Sequence, residues 1–224
     1  MDFIFMLTRE DQTIEDCLDV YEAIRRVPLN HVGFKDVGVP PETLRRLHER
    51  MKADGRTTHM EVVSTDRDSA LRSAEVGAGL GVDCLLGGTQ VDAVLSIVKG
   101  TGTGYYPFPG VPVGHPTKLG GTPARIEADT RAMVAQGCAG VDLLAYRATE
   151  ADPLDLIRAA RRGTDKTVIV AGSINSAERI RAVAEAGADL FTIGTAALDG
   201  SFCPRIGLLA NQLARILDAC KQAA

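Results

Sequence analysis

Lys35, Glu61 and Asp142 each stand inside a short apolar run, in HVGFKDV, THMEVVS and GVDLLAY. A charge in such a run is costly to bury unless it has a partner or a task. A lysine can hold a developing oxyanion, and a carboxylate beside it can remove a proton next to a carbonyl. Farther along, VIVAGSINSAERIRAVAEAGADLFTIGTAAL carries a Gly172-Ser173 step and a Gly194-Thr195 step, each after an apolar run. Glycine lets backbone N–H groups approach an anion, and a following helix start adds partial positive charge. Those four residues form a candidate phosphate site.

Such groups converge only if the intervening chain brings them together. Eight short apolar runs read as strands, over 3–8, 31–37, 57–64, 84–89, 105–109, 140–146, 167–172 and 190–195. Helix-like stretches separate them. PETLRRLHERMKADG puts Leu44, Leu47 and Met51 on one stripe and closes at Gly55. SAERIRAVAEAGA opens on an N-cap serine, Ser176, and ends at Gly187. Strict alternation of strand and helix means parallel strands with crossover helices. Eight such units in 224 residues predict a single-domain (β/α)8 TIM barrel spanning residues 1–224. A doubly wound open sheet is the runner-up, but TREDQT follows the first strand where that fold more often carries G-x-G-x-x-G.

In a barrel, alternate strand residues face inward. If Val32 and Phe34 face the helices, Lys35 points inside. Met60 and Val62 outward leave His59 and Glu61 inward, and Val141 and Leu143 outward leave Asp142 and Tyr146 inward. Plainer readings stand beside these. Lys35 and Glu61 can be a simple ion pair, His59 a hydrogen-bonded core residue, and Asp142 too deep in its strand to touch a ligand. Active sites of such barrels lie at the C-terminal strand ends. There Gly88 in LLGGTQ leaves space, and Gln90 is a candidate for a sugar hydroxyl. The long stretch 110–123 reads as irregular and offers His115 and Lys118 to close over an anionic substrate. Arg147, just past the sixth strand, is a candidate for a carboxylate or second phosphate.

The segments GSINSAERI and AGADLFTIGTA resemble the closing half-barrel of the ribulose-phosphate-binding barrel superfamily. Its members include the histidine-pathway isomerase, indole-glycerol-phosphate synthase and N-acetylmannosamine-6-phosphate epimerases. The match covers about 35 residues, and the eightfold pattern accompanies it elsewhere. It implies a barrel fold and a phosphate held after strands seven and eight, and it implies no particular reaction. Many of these families have Gly-Gly where this chain has Gly172-Ser173; a serine can still donate to a phosphate. GFKDVG is also faintly similar to the Lys-Asp signatures of phosphate-sugar decarboxylases.

Three functional readings follow. In the first, the chain is a cofactor-independent isomerase or epimerase of a phosphorylated sugar or related small metabolite. One carboxylate removes a proton, another group returns it, and Lys35 stabilises the enediolate. In the second, Lys35 forms a Schiff base with a ketose in an aldolase or lyase reaction. In the third, the barrel binds a phosphorylated metabolite without turnover.

Composition excludes other classes. A formal charge of −4 with no basic run argues against a nucleic-acid partner. The apolar run of MDFIFMLTRE is too short for a membrane span or a signal peptide. Five scattered cysteines suit reduced thiols and a cytoplasmic location. The four histidines lack metal-ligand spacing, LHERM included, so no metal or other cofactor is expected. The closing segment RIGLLANQLARILDACKQ is apolar enough to cover either the barrel or a second copy, which leaves a homo-oligomer open.

Overall fold

A computed structural model describes residues 1–64, 66–114 and 117–223. Eight parallel strands form the barrel wall: β1 (Asp2–Met6), β2 (His31–Lys35), β3 (Thr57–Val62), β4 (Cys84–Gly87), β5 (Gly104–Tyr106), β6 (Gly140–Leu143), β7 (Thr167–Val170) and β8 (Leu190–Ile193). Their order is β6-β7-β8-β1-β2-β3-β4-β5. Two backbone bonds close the ring at the β5–β6 seam: Ala139 N–H to Tyr105 O at 2.9 Å, and Asp142 N–H to Pro107 O at 3.0 Å.

The crossovers are α1 (Cys17–Ile24), α2 (Pro41–Ala53), α3 (Arg67–Leu80), α4 (Val91–Val98), α5 (Pro123–Ala135), α6 (Pro153–Gly163) and α7 (Ala177–Glu185). After β8 come a single turn, α8 (Thr195–Leu198), and a long α9 (Leu209–Gln222). The helix signals act as their chemistry dictates. Ser176 accepts from the Arg179 N–H at the start of α7, and Gly187 takes φ +101° just beyond its end. No helix among the described residues is long and apolar enough to cross a membrane.

Strand parity follows the alternation of residue types. Phe3, Phe5, Val32, Phe34, Met60 and Phe191 are buried in the layer between strands and helices. Each such side chain contributes about 1.5–3 kcal/mol relative to exposure. The opposite faces point into the barrel, where Ile4, Met6, Cys84, Leu86 and Ile169 form a separate small core. Gly33 is inward too; a Cβ there would strike the Met6 sulfur. The barrel is therefore packed at its centre, and its polar inward groups lie above or below that plug.

Two short hairpins depart from the expected pattern. Thr8–Arg9 pairs with Gln12–Thr13 immediately after β1, and Glu10 and Asp11 form its tip at φ +50° and +58°. Val111–Val113 pairs with Lys118–Gly120, so six residues of the stretch read as irregular form a β-ribbon. Its glycines and prolines hid the alternation of Val111 and Val113.

Candidate active site

A cavity of about 920 Å³ opens at the C-terminal ends of the strands. Lys35, at the end of β2, reaches into it. Its Nζ lies 2.7 Å from Asp11 Oδ1 and 3.4 Å from Glu61 Oε1. The register pairs Lys35 with Glu61 across β2 and β3, so the two carboxylate contacts come from different directions: one along the wall, one down from the hairpin. Thr13 locks the hairpin onto β2; its hydroxyl donates to Lys35 O at 2.7 Å and accepts from Lys35 N–H at 2.9 Å. Burial works against the lysine charge, but Glu61 and Asp11 outweigh it and hold its pKa above the ordinary value. Lys35 is thus an ammonium.

Asp11 is shared. Arg147 Nη2 lies 3.2 Å from Asp11 Oδ1. Burial would raise the Asp11 pKa, yet Lys35 and Arg147 together bring it down to about 2. Holding a non-glycine residue left-handed costs about 1–2 kcal/mol, and here it sets a carboxylate between two cations.

The Gly172-Ser173 and Gly194-Thr195 turns line the same cavity. Gly172 (φ +81°) and Ser173 (φ +61°) are both left-handed, which turns the chain sharply at the end of β7. Two guanidinium groups flank this turn. A Cβ on Gly172 would meet Arg147 Nε at 2.8 Å. Arg179, from the first turn of α7, donates to Ser173 O and lies over the Tyr146 ring, 4.6 Å from its centroid. Gly194 has a different reason to be glycine: a Cβ would meet Thr8 O at 2.8 Å and Met6 O at 2.9 Å. It is required by the close approach of β1, so a bulky residue there would strain the wall before it touched a ligand.

Asp142 is fully buried beneath the cavity, and neither carboxylate oxygen has a hydrogen-bond partner among the described residues. Burial first, and the Glu61 charge second, push its pKa well above the ordinary carboxylate value. It lies under a charged pair and does not line the cavity, so its place is behind the residues that do. His59 is deeper still. Its Nε2 lies 3.0 Å from His31 Nδ1, one layer below Glu61 on the same strand. Burial and the neighbouring imidazole bring its pKa down to about 3. The structure thus assigns His59 to the barrel floor instead of the catalytic position expected from parity alone.

Among the remaining candidates, Arg147 lines the cavity, while Gly88 and Gln90 line a separate smaller pocket. Lys118 is exposed on the ribbon and lines neither. His115 lies outside the described residues. Asp11 and Arg179 were not expected. The acidic pair in REDQ, between two short polar strands, was the available signal for Asp11. Arg179 reads from periodicity as an ordinary exposed helix residue. No group of three or more His, Cys, Asp or Glu among the described residues is arranged to hold a metal.

The geometry defines a (β/α)8 barrel with a cavity at the strand ends lined by both basic and acidic side chains. The family model for histidine biosynthesis proteins matches residues 111–205, which contain the two glycine turns. No curated protein matches the chain by sequence. Among solved structures it is similar to 3-hexulose-6-phosphate synthase from Salmonella typhimurium, at 14% identity and TM-score 0.69 over 100% of both chains. It is also similar to orotidine 5'-phosphate decarboxylase from Pyrococcus horikoshii, at 11% identity and TM-score 0.67 over 99% of both chains. A third similar structure, described as native KDPGal, has 13% identity and TM-score 0.66 over 99% of this chain and 92% of that one. These similarities establish the barrel fold.

Proposed function

We propose that this barrel is an enzyme acting on a phosphorylated sugar or related small carbonyl compound by proton transfer next to the carbonyl. The observation that carries the reading is the Lys35 ammonium held between Asp11 and Glu61, inside a cavity whose rim bears the Gly172-Ser173 and Gly194-Thr195 turns. Among the described residues the N–H groups of Ser173, Thr195 and Ala196 donate to no protein acceptor. With Arg147 and Arg179 beside them they suit a phosphate dianion. The names of two structurally similar proteins carry phosphate esters, and the matched family segment includes both turns, which agrees with this reading.

In the reaction, the Glu61 carboxylate takes the proton on the carbon next to the carbonyl. The C–H electron pair moves into an enediolate, whose oxygen is stabilised by Lys35 Nζ–H. The proton returns to the neighbouring carbon or to the opposite face, giving isomerisation or epimerisation. Burial and the Glu61 charge favour the protonated form of Asp142 below, which limits the negative charge opposing the enediolate. Arg147 and Arg179 anchor the phosphate, and their binding energy fixes the carbonyl against Lys35.

The burial of Lys35 supports a second reading, in which it forms a Schiff base in an aldolase or lyase reaction. That route needs a neutral amine, and the two carboxylates favour the ammonium. A panel of ketose and aldose phosphates in deuterated water, followed by NMR, tests the first reading. Solvent deuterium should enter next to the carbonyl with the wild-type protein and not with Glu61→Gln. Full exchange by Glu61→Gln would remove Glu61 from its role. Borohydride trapping of a ketose phosphate on Lys35 would select the second reading. Tight phosphate-ester binding with neither outcome would point to a non-catalytic barrel.

A further inference from the structure

We infer that the cavity continues past Lys35 into a second, apolar subsite, and that the substrate carries an uncharged, ring-sized apolar group that fills it. The inference rests on the phosphate reading above, which fixes one end of the substrate; the subsite would fix the other.

The subsite is a pocket of about 260 Å³ at the ends of β3, β4 and β5, closed on one side by the β-ribbon. Val63, Ala70, Phe108, Val111 and Pro112 supply its walls, and Gln90 stands at its edge. Its one charged lining residue among those described, Arg125, is already committed. The Arg125 Nε donates to both Asp129 oxygens, at 2.8 and 2.7 Å, and Asp129 also accepts the Gly110 N–H at 3.0 Å. A pocket with apolar walls and a neutralised charge selects an uncharged group.

Between the two spaces lies a void of about 10 Å³, which we read as a neck, that shares Asp11, Lys35, Glu61 and Arg147 with the cavity and Val63 and Phe108 with the pocket. That is roughly the room of one water-sized sphere, narrower than an alkyl chain, so a ligand that spans both spaces must push the Phe108 ring aside. Phe108 is the partition, and the local sequence seats it there. A Cβ on Gly87 (φ +83°) would meet its ring at 2.9 Å, and its N–H donates to Gly88 O at 2.9 Å. Gly88 adds a second sign of an unfilled contact. A Cβ there would come within 3.4 Å of the Tyr105 hydroxyl, which is buried and has no partner among the described residues. The reacting centre, beside Lys35 and Glu61, thus lies between an anion-holding rim and an apolar chamber.

The test is isothermal titration of the full chain with ω-phenylalkyl phosphates of graded length, beside the matched ω-phenylalkanols and inorganic phosphate. Affinity should rise abruptly, by roughly 10- to 100-fold, at the length where the ring clears the neck. Thr89→Trp, from an exposed position on the pocket wall, should abolish that step and leave inorganic phosphate binding unchanged. Val111→Trp on the ribbon should do the same, and serves if the first variant folds poorly. Phosphate-dependent binding without a step, or with a step that both variants keep, overturns the subsite while the phosphate reading stands. Phenylalkanols that bind as tightly as the phosphates would overturn the phosphate reading, and with it the linked substrate. No binding by any probe overturns both.

Discussion

Lys35 Nζ lies 2.7 Å from Asp11 Oδ1, although Asp11 belongs to no barrel strand. It sits at the tip of a hairpin that folds back from β1 onto β2, in a left-handed conformation that the Thr8–Thr13 pairing sustains. The lysine is therefore gripped from the wall by Glu61 and from above by Asp11, with Arg147 on the far side of the same carboxylate.

Replacing Asp11 with Asn should leave the buried Lys35 and the half-buried Arg147 facing each other, with Glu61 as the remaining partner of Lys35. A stability loss of about 1–2 kcal/mol is expected, less than for a fully buried pair because Asp11 is partly exposed and Glu61 still pairs Lys35, read as a lower urea midpoint at neutral pH. The Asp11 pKa is depressed to about 2 from an ordinary 3.8, so its stabilisation is present above pH 3.8 and lost as pH falls towards 2. The gap between wild type and variant should shrink across that window. A constant gap would separate the effect from ionisation.

Asp142→Asn should behave in the opposite sense. The Asp142 pKa is raised in the folded chain, so this carboxyl favours folding at low pH and costs increasingly more as pH rises above 3.8. The amide keeps the shape and removes the proton equilibrium. The variant should be at least as stable as wild type at pH 7.5, with its advantage vanishing below pH 3.8. Marked destabilisation at pH 7.5 would mean that Asp142 is ionised and paired.

The His31–His59 contact should set part of the acid limb. Burial depresses both pKa values, that of His59 to about 3. A histidine kept neutral in the fold contributes stability above its ordinary pKa of 6.5 and loses it as pH falls towards the folded value. His59→Gln should flatten the decline of Tm between pH 6.5 and pH 4. An unchanged slope would assign acid sensitivity to other groups.

Ser173 should tolerate glycine better than any branched residue. At φ +61° it bears the left-handed cost, about 1–2 kcal/mol, that glycine escapes. Ser173→Gly should equal or exceed wild type in Tm and keep phosphate-ester binding, whereas Ser173→Val should lower both. A Ser173→Gly variant that folds well but binds phosphate esters more than tenfold more weakly would show that the hydroxyl is itself a ligand.

How far the site was legible depends on the range of the physics involved. Parity along β2 and β3 is a local rule, and HVGFK and THMEV carry enough apolar residues to orient Lys35 and Glu61 correctly. The same rule set His59 inward, but it says nothing of height within the barrel, and height separates floor from site. The β2–β3 register, pairing Gly33 with His59 and Lys35 with Glu61, supplies that coordinate. Asp11 escaped because its role depends on a turn bringing it over a neighbouring strand. Arg179 escaped because the mouth-facing start of a helix looks, in periodicity, like any solvent-facing turn.

The β5–β6 seam is the joint of the ring held by two backbone bonds instead of a strand ladder. Slack in a closed ring collects at its weakest joint, and here that joint has two backbone bonds, one of them from the Asp142 N–H to Pro107 O. Pro107 immediately precedes Phe108, so the compliant joint is continuous with the partition between the two chambers. The barrel should therefore yield first beside Phe108. The amide hydrogens of Ala139 and Asp142 should accordingly exchange with solvent deuterium before that of Ala171, which donates to Leu143 O at 2.9 Å between β7 and β6.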